Sequence, residues 1–221
     1  MKQKVVIFGT GTTADVSHYY LTHDSAYEVV GFTVDGRYIA AATHLGLPVV
    51  AFEKIESAFP PSEIGMLIAI SYVNVNSVRA EKYEQARAKG YKLISYVSSR
   101  AITWPDLTIG DNCDIQAGSI IQPFAKIGSN VVIASGSLIS HHSIIGDHCF
   151  IAANVMVCGN SRVEPFCFIG ANATIRDGIT VARGCVIGAG ALVLENTQAG
   201  CVYKGPPSVR LPKASHELQG I

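Results

Sequence analysis

Counting in sixes from Ile109 to Val193 meets nothing but Ile and Val, at all fifteen landings. Two residues before each later landing the side chain is usually small: Cys113, Ser119, Ala125, Ser137, Ser143, Cys149, Ser161, Cys167, Ala173, Cys185 and Ala191, with Val131, Val155 and Ile179 the exceptions. A Gly often follows the landing, as at 110, 128, 146, 170 and 188. This period is neither the 3.6 of a helix nor the 2 of a lone strand. A hexad with a branched aliphatic at one place and a small residue two earlier marks a parallel β-helix. Each hexad supplies a short strand and a corner, and three hexads close a triangular coil of about 18 residues. The aliphatic fills the interior while the small residue fits the corner beside it. Each buried Ile or Val stabilises by roughly 1.5–3 kcal/mol, so fifteen of them make a credible core. Strands of a β-sandwich would instead vary in length, with turn signals every 8–12 residues. The repeat does not set the hand of the coil; right-handed crossovers are the general rule.

The chain has 221 residues, room for one large domain or two modest ones. A hydrophobic share of 48% against 15% charge describes a packed chain rather than a disordered one. The formal net charge is zero, so the basic footprint of a nucleic-acid or anionic-membrane partner is absent and neither is expected. No apolar run approaches the length of a membrane span. Lys4–Phe8 turns straight into Gly9 and Thr10, which reads as a strand and not a signal peptide. A cytoplasmic protein is expected. The six cysteines fit that compartment. Cys113, Cys149, Cys167 and Cys185 occupy the small inward slot, where they should be reduced and buried. No CxxC pair occurs.

Residues 1–97 read as a small α/β domain with a parallel sheet. Strands are expected at Lys4–Phe8, Glu28–Val34, Val49–Ala51, Ile64–Ile70 and Lys92–Tyr96. Helices are expected at Thr13–Thr22 and from Val75 to Lys89, the latter stopped by Gly90. The first turn, Gly9-Thr10-Gly11-Thr12-Thr13-Ala14, is GxGxxA between a strand and a helix. Backbone N–H groups at such a helix start suit a phosphate. Asp35 ends the second strand, where a dinucleotide fold places its ribose-binding acid. The turn alone serves either a nucleotide or a structural bend without a ligand. Some 97 residues are few for an intact nicotinamide fold, so half of one is expected, binding a sugar nucleotide or nothing. Residues 98–108, with Trp104-Pro105, form the expected linker, and 109–198 the coil. An extension occupies 199–221, containing Lys204-Gly205-Pro206-Pro207 and a helical or frayed tail from Lys213.

The one dense polar spot on the coil is Ser140-His141-His142, with Asp147 and His148 a hexad later. His141 and His142 follow Ile139 by two and three places and should point outward. Adjacent histidines on a bland repeat are candidates for chemistry. Zinc held between subunits is the rival, but three histidines are usual for it and none lies between His44 and His141. No metal is expected. Cys158 could act as a nucleophile beside Gly159, yet no base partner is evident.

Taken together, a domain with GxG, an Asp after its second strand and a hexapeptide coil with a mid-coil His resembles the NeuD/PglD group of bacterial sugar acyltransferases. The likeness spans nearly the whole chain, and the element from His141 to Gly146 narrows it. The resemblance implies a small Rossmann-like N-terminal domain followed by a left-handed parallel β-helix, an α/β + β architecture. It implies a homotrimer with acetyl-CoA, the co-substrate, in grooves between neighbouring coils. The implied reaction is N-acetylation of a nucleotide-linked amino-deoxy sugar in O-antigen or capsule biosynthesis; O-acylation of sialic acid or a related sugar is the alternative. By this likeness His141 matches the general base, and Gly159 the glycine whose N–H meets the thioester carbonyl. Ala171 and Ala189 match positions holding the pantetheine arm, and Lys204 with Gly205 lies near the adenine end. Gly9, Thr10 and Asp35 match the nucleotide-sugar loop, with Gly11, Thr12, Arg37 and Tyr72 completing the candidate set. The chain departs from the group where an acid commonly follows the base: here stands His142, leaving His142 and Asp147 as candidate orienting groups. Phe150 stands where some members carry a second His. The group's frequent G-x-G-G-H-G loop is Gly9-Thr10-Gly11-Thr12-Thr13-Ala14 here.

Overall fold

The computed structural model describes residues 2–208 together with Arg210 and Pro212, so the tail expected from Lys213 lies outside the described residues. The N-terminal domain contains β1 (Gln3–Phe8), α1 (Thr12–His23), β2 (Tyr27–Val34), β3 (Thr43–His44), β4 (Leu47–Ala51), α2 (Ile55–Ala58), β5 (Gly65–Ile68) and α3 (Ser77–Ala88). The strands lie in the order β3-β4-β2-β1-β5, parallel except where β3 meets β4. Val5, Val6 and Ile7 are wholly buried because β1 is covered on both faces. Val5 and Ile7 pack with Leu21 of α1, and Val6 and Phe8 with Ile55 and Tyr83 of α2 and α3. Two-sided cover is why the strand reads as an unbroken apolar run.

Two of the expected elements change for a visible reason, while others differ by only one or two residues at their ends. The helix expected from Val75 starts at Ser77, because Asn74, Val75 and Asn76 hold φ of 48°, 50° and 66°, outside the right-handed helical region. The strand expected over Lys92–Tyr96 is reduced to a bridge between Met66 and Leu93. Past Ile94 the hydrogen bonds are claimed by the coil: Ser95 Oγ donates to Gly110 O and Tyr96 N to Cys113 O. Tyr96–Val97 then pairs with Asp114–Ile115, and Ile102 bridges Ile120. The segment expected as a linker over 98–108 therefore winds as a first partial coil. At the far end Val202–Tyr203, within the expected extension, adds a strand against Val186–Ile187.

The coil has three parallel sheets, and paired residues differ by 18, as in Ile127 with Ile145 and Ile145 with Val163. The charged face, with outward Lys126 and Arg162, runs through residues 108–109, 126–127, 144–145, 162–163 and 180–181. The docking face runs through 96–97, 114–115, 132–133, 150–151, 168–169, 186–187 and 202–203. The apolar face runs through 120–121, 138–139, 156–157, 174–175 and 192–193. The landing aliphatics from Ile115 onward are buried in one core with the slot residues. The slot also has a polar task. Ser137, Ser143 and Ser161 each donate Oγ to a carbonyl 15 residues on, at Ala152, Cys158 and Arg176. Cys113, Cys149 and Cys167 do the same through Sγ, toward Gly128, Glu164 and Ala182. All six cysteines are free thiols.

The two domains are bolted along the docking face and its corner with the charged face. Arg79 on α3 is fully buried and donates to the carbonyls of Asn130, His148 and Cys149 at 3.2, 3.1 and 2.9 Å. Burial lowers its guanidinium to about 10, which leaves it charged. A side-chain ladder climbs the same corner: Asn112 Oδ1 accepts from Ile68 N, Asn112 Nδ2 donates to Asn130, and Asn130 Nδ2 bonds His148 Nδ1. Asn112, Asn130, His148 and Phe166 all hold positive φ, the left-handed turn that rounds the corner.

Candidate active site

His141 and His142 sit at the corner between the apolar and charged faces, and both are exposed. The corner places them there by count: the preceding strand ends at Ile139 and the next begins at Ile144. His141 N donates to Gln122 Oε1 of the preceding coil at 2.9 Å. Its imidazole lies over Gly159 of the following coil. A Cβ added there would stand 2.6 Å from Cε1 and 2.8 Å from Nε2 of His141, so only glycine leaves room for the ring in this position. No acceptor among the described residues takes the Gly159 N–H. His141 Nδ1 lies 3.2 Å from His142 Nδ1. The His142 ring in turn rests against Phe124, with centroids 4.8 Å apart.

Asp147 does not join them. It lies at the next corner, where Oδ1 accepts from Ser129 N at 2.8 Å and ties one coil to the next. The reason is one of geometry: a hexad carries the chain across a whole face, so residues six apart sit at different corners. His148 is drawn into the domain ladder, and burial lowers its imidazole below the ordinary value. Phe150 and Phe168 present their rings to Tyr72 at 5.1 and 4.6 Å, so half-exposed Tyr72 packs on the docking face. Among the described residues no three His, Cys, Asp or Glu side chains converge.

The other candidates form two separate groups. Ala171 and Ala189 lie at the corner between the docking and apolar faces, a full face-width from His141 in the same chain. Gly205 crosses beside them: a Cβ there would meet Ala189 O at 2.3 Å. Lys204 lines an open 590 Å³ cavity with Leu192, Leu194, Gln198, Tyr203 and Pro206. In the α/β domain, Gly9 holds φ of 127° against Ala69 O, and Gly11 caps α1 without a side-chain bond, leaving the first-turn N–H groups open. Thr12 begins that helix, and Thr10 lines a small hollow with His44 and Val49. Asp35 is nearly buried and already engaged: Oδ1 takes Lys82 Nζ at 2.7 Å, and Arg37 approaches Oδ2 at 3.9 Å. Those three and Phe52, Glu53 and Lys89 line a 640 Å³ cavity.

Sequence reasoning passed over Gln122, Lys82 and the His44–Asp15 pair at 2.6 Å. Gln122 was findable, since Ser140 lies one 18-residue coil above it. Lys82 and His44 reach partners 47 and 29 residues away, which no local pattern announces.

An α/β sheet feeding a triangular coil of hexads defines the class, and comparison with known proteins agrees. Residues 106–141, 124–159 and 160–195 match the family model of the bacterial transferase hexapeptide (six repeats). The chain superposes on the acetyltransferase domain of PglB from Neisseria gonorrhoeae FA1090 with a TM-score of 0.83 at 22% identity, covering 95% of this chain and 100% of that one. That domain is also known in complex with acetyl coenzyme A, at TM-score 0.82. PerB from Caulobacter crescentus, solved in complex with CoA and GDP-perosamine, matches at TM-score 0.81 and 24% identity, covering 91% of this chain and 94% of that one. No curated protein sequence matches. At these identities the likeness fixes the fold: an α/β domain followed by a left-handed parallel β-helix, the architecture that the family resemblance implied.

Proposed function

We propose that the chain is an acetyl-CoA-dependent N-acetyltransferase acting on the amino group of a nucleotide-linked amino-deoxy sugar, in the cytoplasmic stage of bacterial surface-glycan synthesis. The observation that carries this reading is the His141 imidazole laid over Gly159 at an exposed corner of the coil. The fold shared with an acetyl-CoA-bound domain and with a protein bound to CoA and GDP-perosamine supports it.

In this reading the sugar amine attacks the thioester carbonyl and His141 Nε2 takes its proton. Imidazole suits proton transfer near neutral pH, and a general base is worth roughly 10²–10⁴-fold. The uncommitted Gly159 N–H donates to the developing oxyanion, worth about 3 kcal/mol. The thioester is already activated, so the coenzyme A thiolate leaves without a covalent enzyme intermediate. The open N–H groups of α1, with Gly9, Thr10, Gly11 and Thr12, hold the diphosphate. Asp35 and Arg37 face the nucleoside, and Tyr72 stands between the domains.

The working unit is a homotrimer. Outward Ile102, Met156 and Leu192 are 58%, 43% and 62% exposed and line one face of the coil. An uncovered apolar row of this kind marks an interaction surface. His141 with Gly159 and Ala171 with Ala189 occupy opposite edges of that face, so one coenzyme A arm reaches both sets only where two copies meet.

The test mixes the full chain with acetyl-CoA and a panel of GDP-, UDP- and dTDP-linked 4-amino sugars beside hydroxy sugars and sialic acid. Thiol release and a product heavier by one acetyl group on an amino sugar support the reading. Transfer to hydroxyls alone, or release that is unchanged in His141→Ala, overturns it.

A further inference from the structure

We infer that His142 is the positioning residue of this site: its Nδ1 accepts the Nδ1–H of His141 and so holds the lone pair of the working imidazole on Nε2. The inference rests on the base assigned to His141 and goes beyond it by naming what fixes that base's tautomer without a carboxylate.

The geometry leaves little else for the task. The two Nδ1 atoms are 3.2 Å apart, so one of them carries the shared hydrogen. Among the described residues neither ring forms an ion pair, and Asp147 is occupied by Ser129 N. The other groups meeting the pair are uncharged: Gln122 and Phe124 from the coil before, Gly159 from the coil after. Of the two positions for the hydrogen, only one serves the chemistry. With the hydrogen on His141 Nδ1, Nε2 beside Gly159 is a bare acceptor. With it on His142 Nδ1, His141 carries its own proton on Nε2 and cannot take another there. A neutral imidazole has two nitrogens, and the hydrogen bond made by one decides the state of the other.

The backbone holds His142 to this place. It sits at φ 59° in the corner turn, its ring braced on Phe124, which occupies the same turn one coil earlier at φ 66°. A histidine acceptor also handles the incoming proton differently from a carboxylate. His142 is neutral, so when His141 Nε2 takes the amine proton the imidazolium keeps its Nδ1–H on His142 Nδ1, and loss of the Nε2 proton to water restores the working tautomer.

Phe124 shows that this turn accepts Phe, so His142→Phe keeps the bracing contact and removes only the acceptor. Two measurements on the full chain test the inference. Selective ¹⁵N-imidazole spectra need no acceptor sugar: the His141 signals should report the Nδ1–H form in the native chain and in His142→Glu, and shift toward Nε2–H in His142→Phe. With acetyl-CoA and whichever 4-amino sugar nucleotide of the panel reacts, His142→Phe should lose about tenfold or more in kcat, with KM for acetyl-CoA within about threefold. His142→Glu should regain most of that loss, with its acid limb displaced on the pH axis from the native one. The same His141 tautomer in all three proteins, or a native kcat in His142→Phe, overturns the inference. Failure of His141 as the base would appear separately, as an active His141→Ala, and would leave the tautomer spectra unaffected.

Discussion

Adding a single methyl group at residue 159 should disable the site while leaving the coil intact. Carbon atoms in contact settle about 3.5–4.0 Å apart. The Cβ of Gly159→Ala would stand 2.6, 2.8 and 3.2 Å from Cε1, Nε2 and Nδ1 of His141. The ring must therefore withdraw by about 1 Å, and a misplacement of that size costs on the order of 10²-fold in rate. Folding should hardly notice. Gly159 is not among the residues at positive φ, so alanine accepts its backbone, and exposed His141 can swing into solvent. A change within about 1 kcal/mol is expected. The variant also keeps the N–H of residue 159, so the loss measures ring position rather than the missing oxyanion donor. The assay is thiol release at saturating acetyl-CoA, beside a thermal melt of the same sample. Turnover within about threefold of native, or a crystal structure of the Gly159→Ala variant with the His141 ring unmoved, would refute the reasoning.

Three further outcomes arise from the same packing. Burial raises the Asp114 carboxyl to about 6 from an ordinary 3.8, so the folded chain holds that proton between the two values. Its stabilisation is present below 3.8 and lost as the pH rises through 6; Asp114→Asn should therefore raise stability at pH 8 by about 2–3 kcal/mol and change little at about pH 3.5, read by urea titration. Buried His148 runs the other way, its stabilisation present above about 6.5 and lost on acidification, and comparing native with Asp114→Asn at each pH cancels it. Arg79→Met strips the carbonyls of Asn130, His148 and Cys149 of a shared donor and should cost at least about 3 kcal/mol, with the α/β domain cleaved from the coil sooner in limited proteolysis. Met156→Lys puts a charge in the exposed apolar row and should reduce the proposed trimer to single chains in sedimentation equilibrium.

The coil was legible because its physics is local and repeated. One aliphatic per hexad and one small residue per corner fix each strand, its facing and its partner 18 residues away. The same count placed His141 and His142 outward on a corner. The first α/β turn was legible for a similar reason: glycines at a strand-to-helix turn announce themselves within six residues. What the chain did with Ser95 and Tyr96 was not legible, because the sheet of the first domain and the edge of the coil compete for the same backbone groups. That contest is decided by which edge lies in reach.

By itself the sequence determined the prism, its core, the α/β domain before it and the corner that bears two histidines. Only the tertiary structure decided which groups meet across coils. It set His141 over Gly159 and against His142, sent Asp147 to Ser129, closed Lys82 onto Asp35 and buried Arg79 in the joint between domains. The reason is a matter of range. A repeat of six specifies neighbours along the strand and one coil away, whereas a side chain at a corner or on a docked helix finds partners set by the meeting of surfaces distant in the chain.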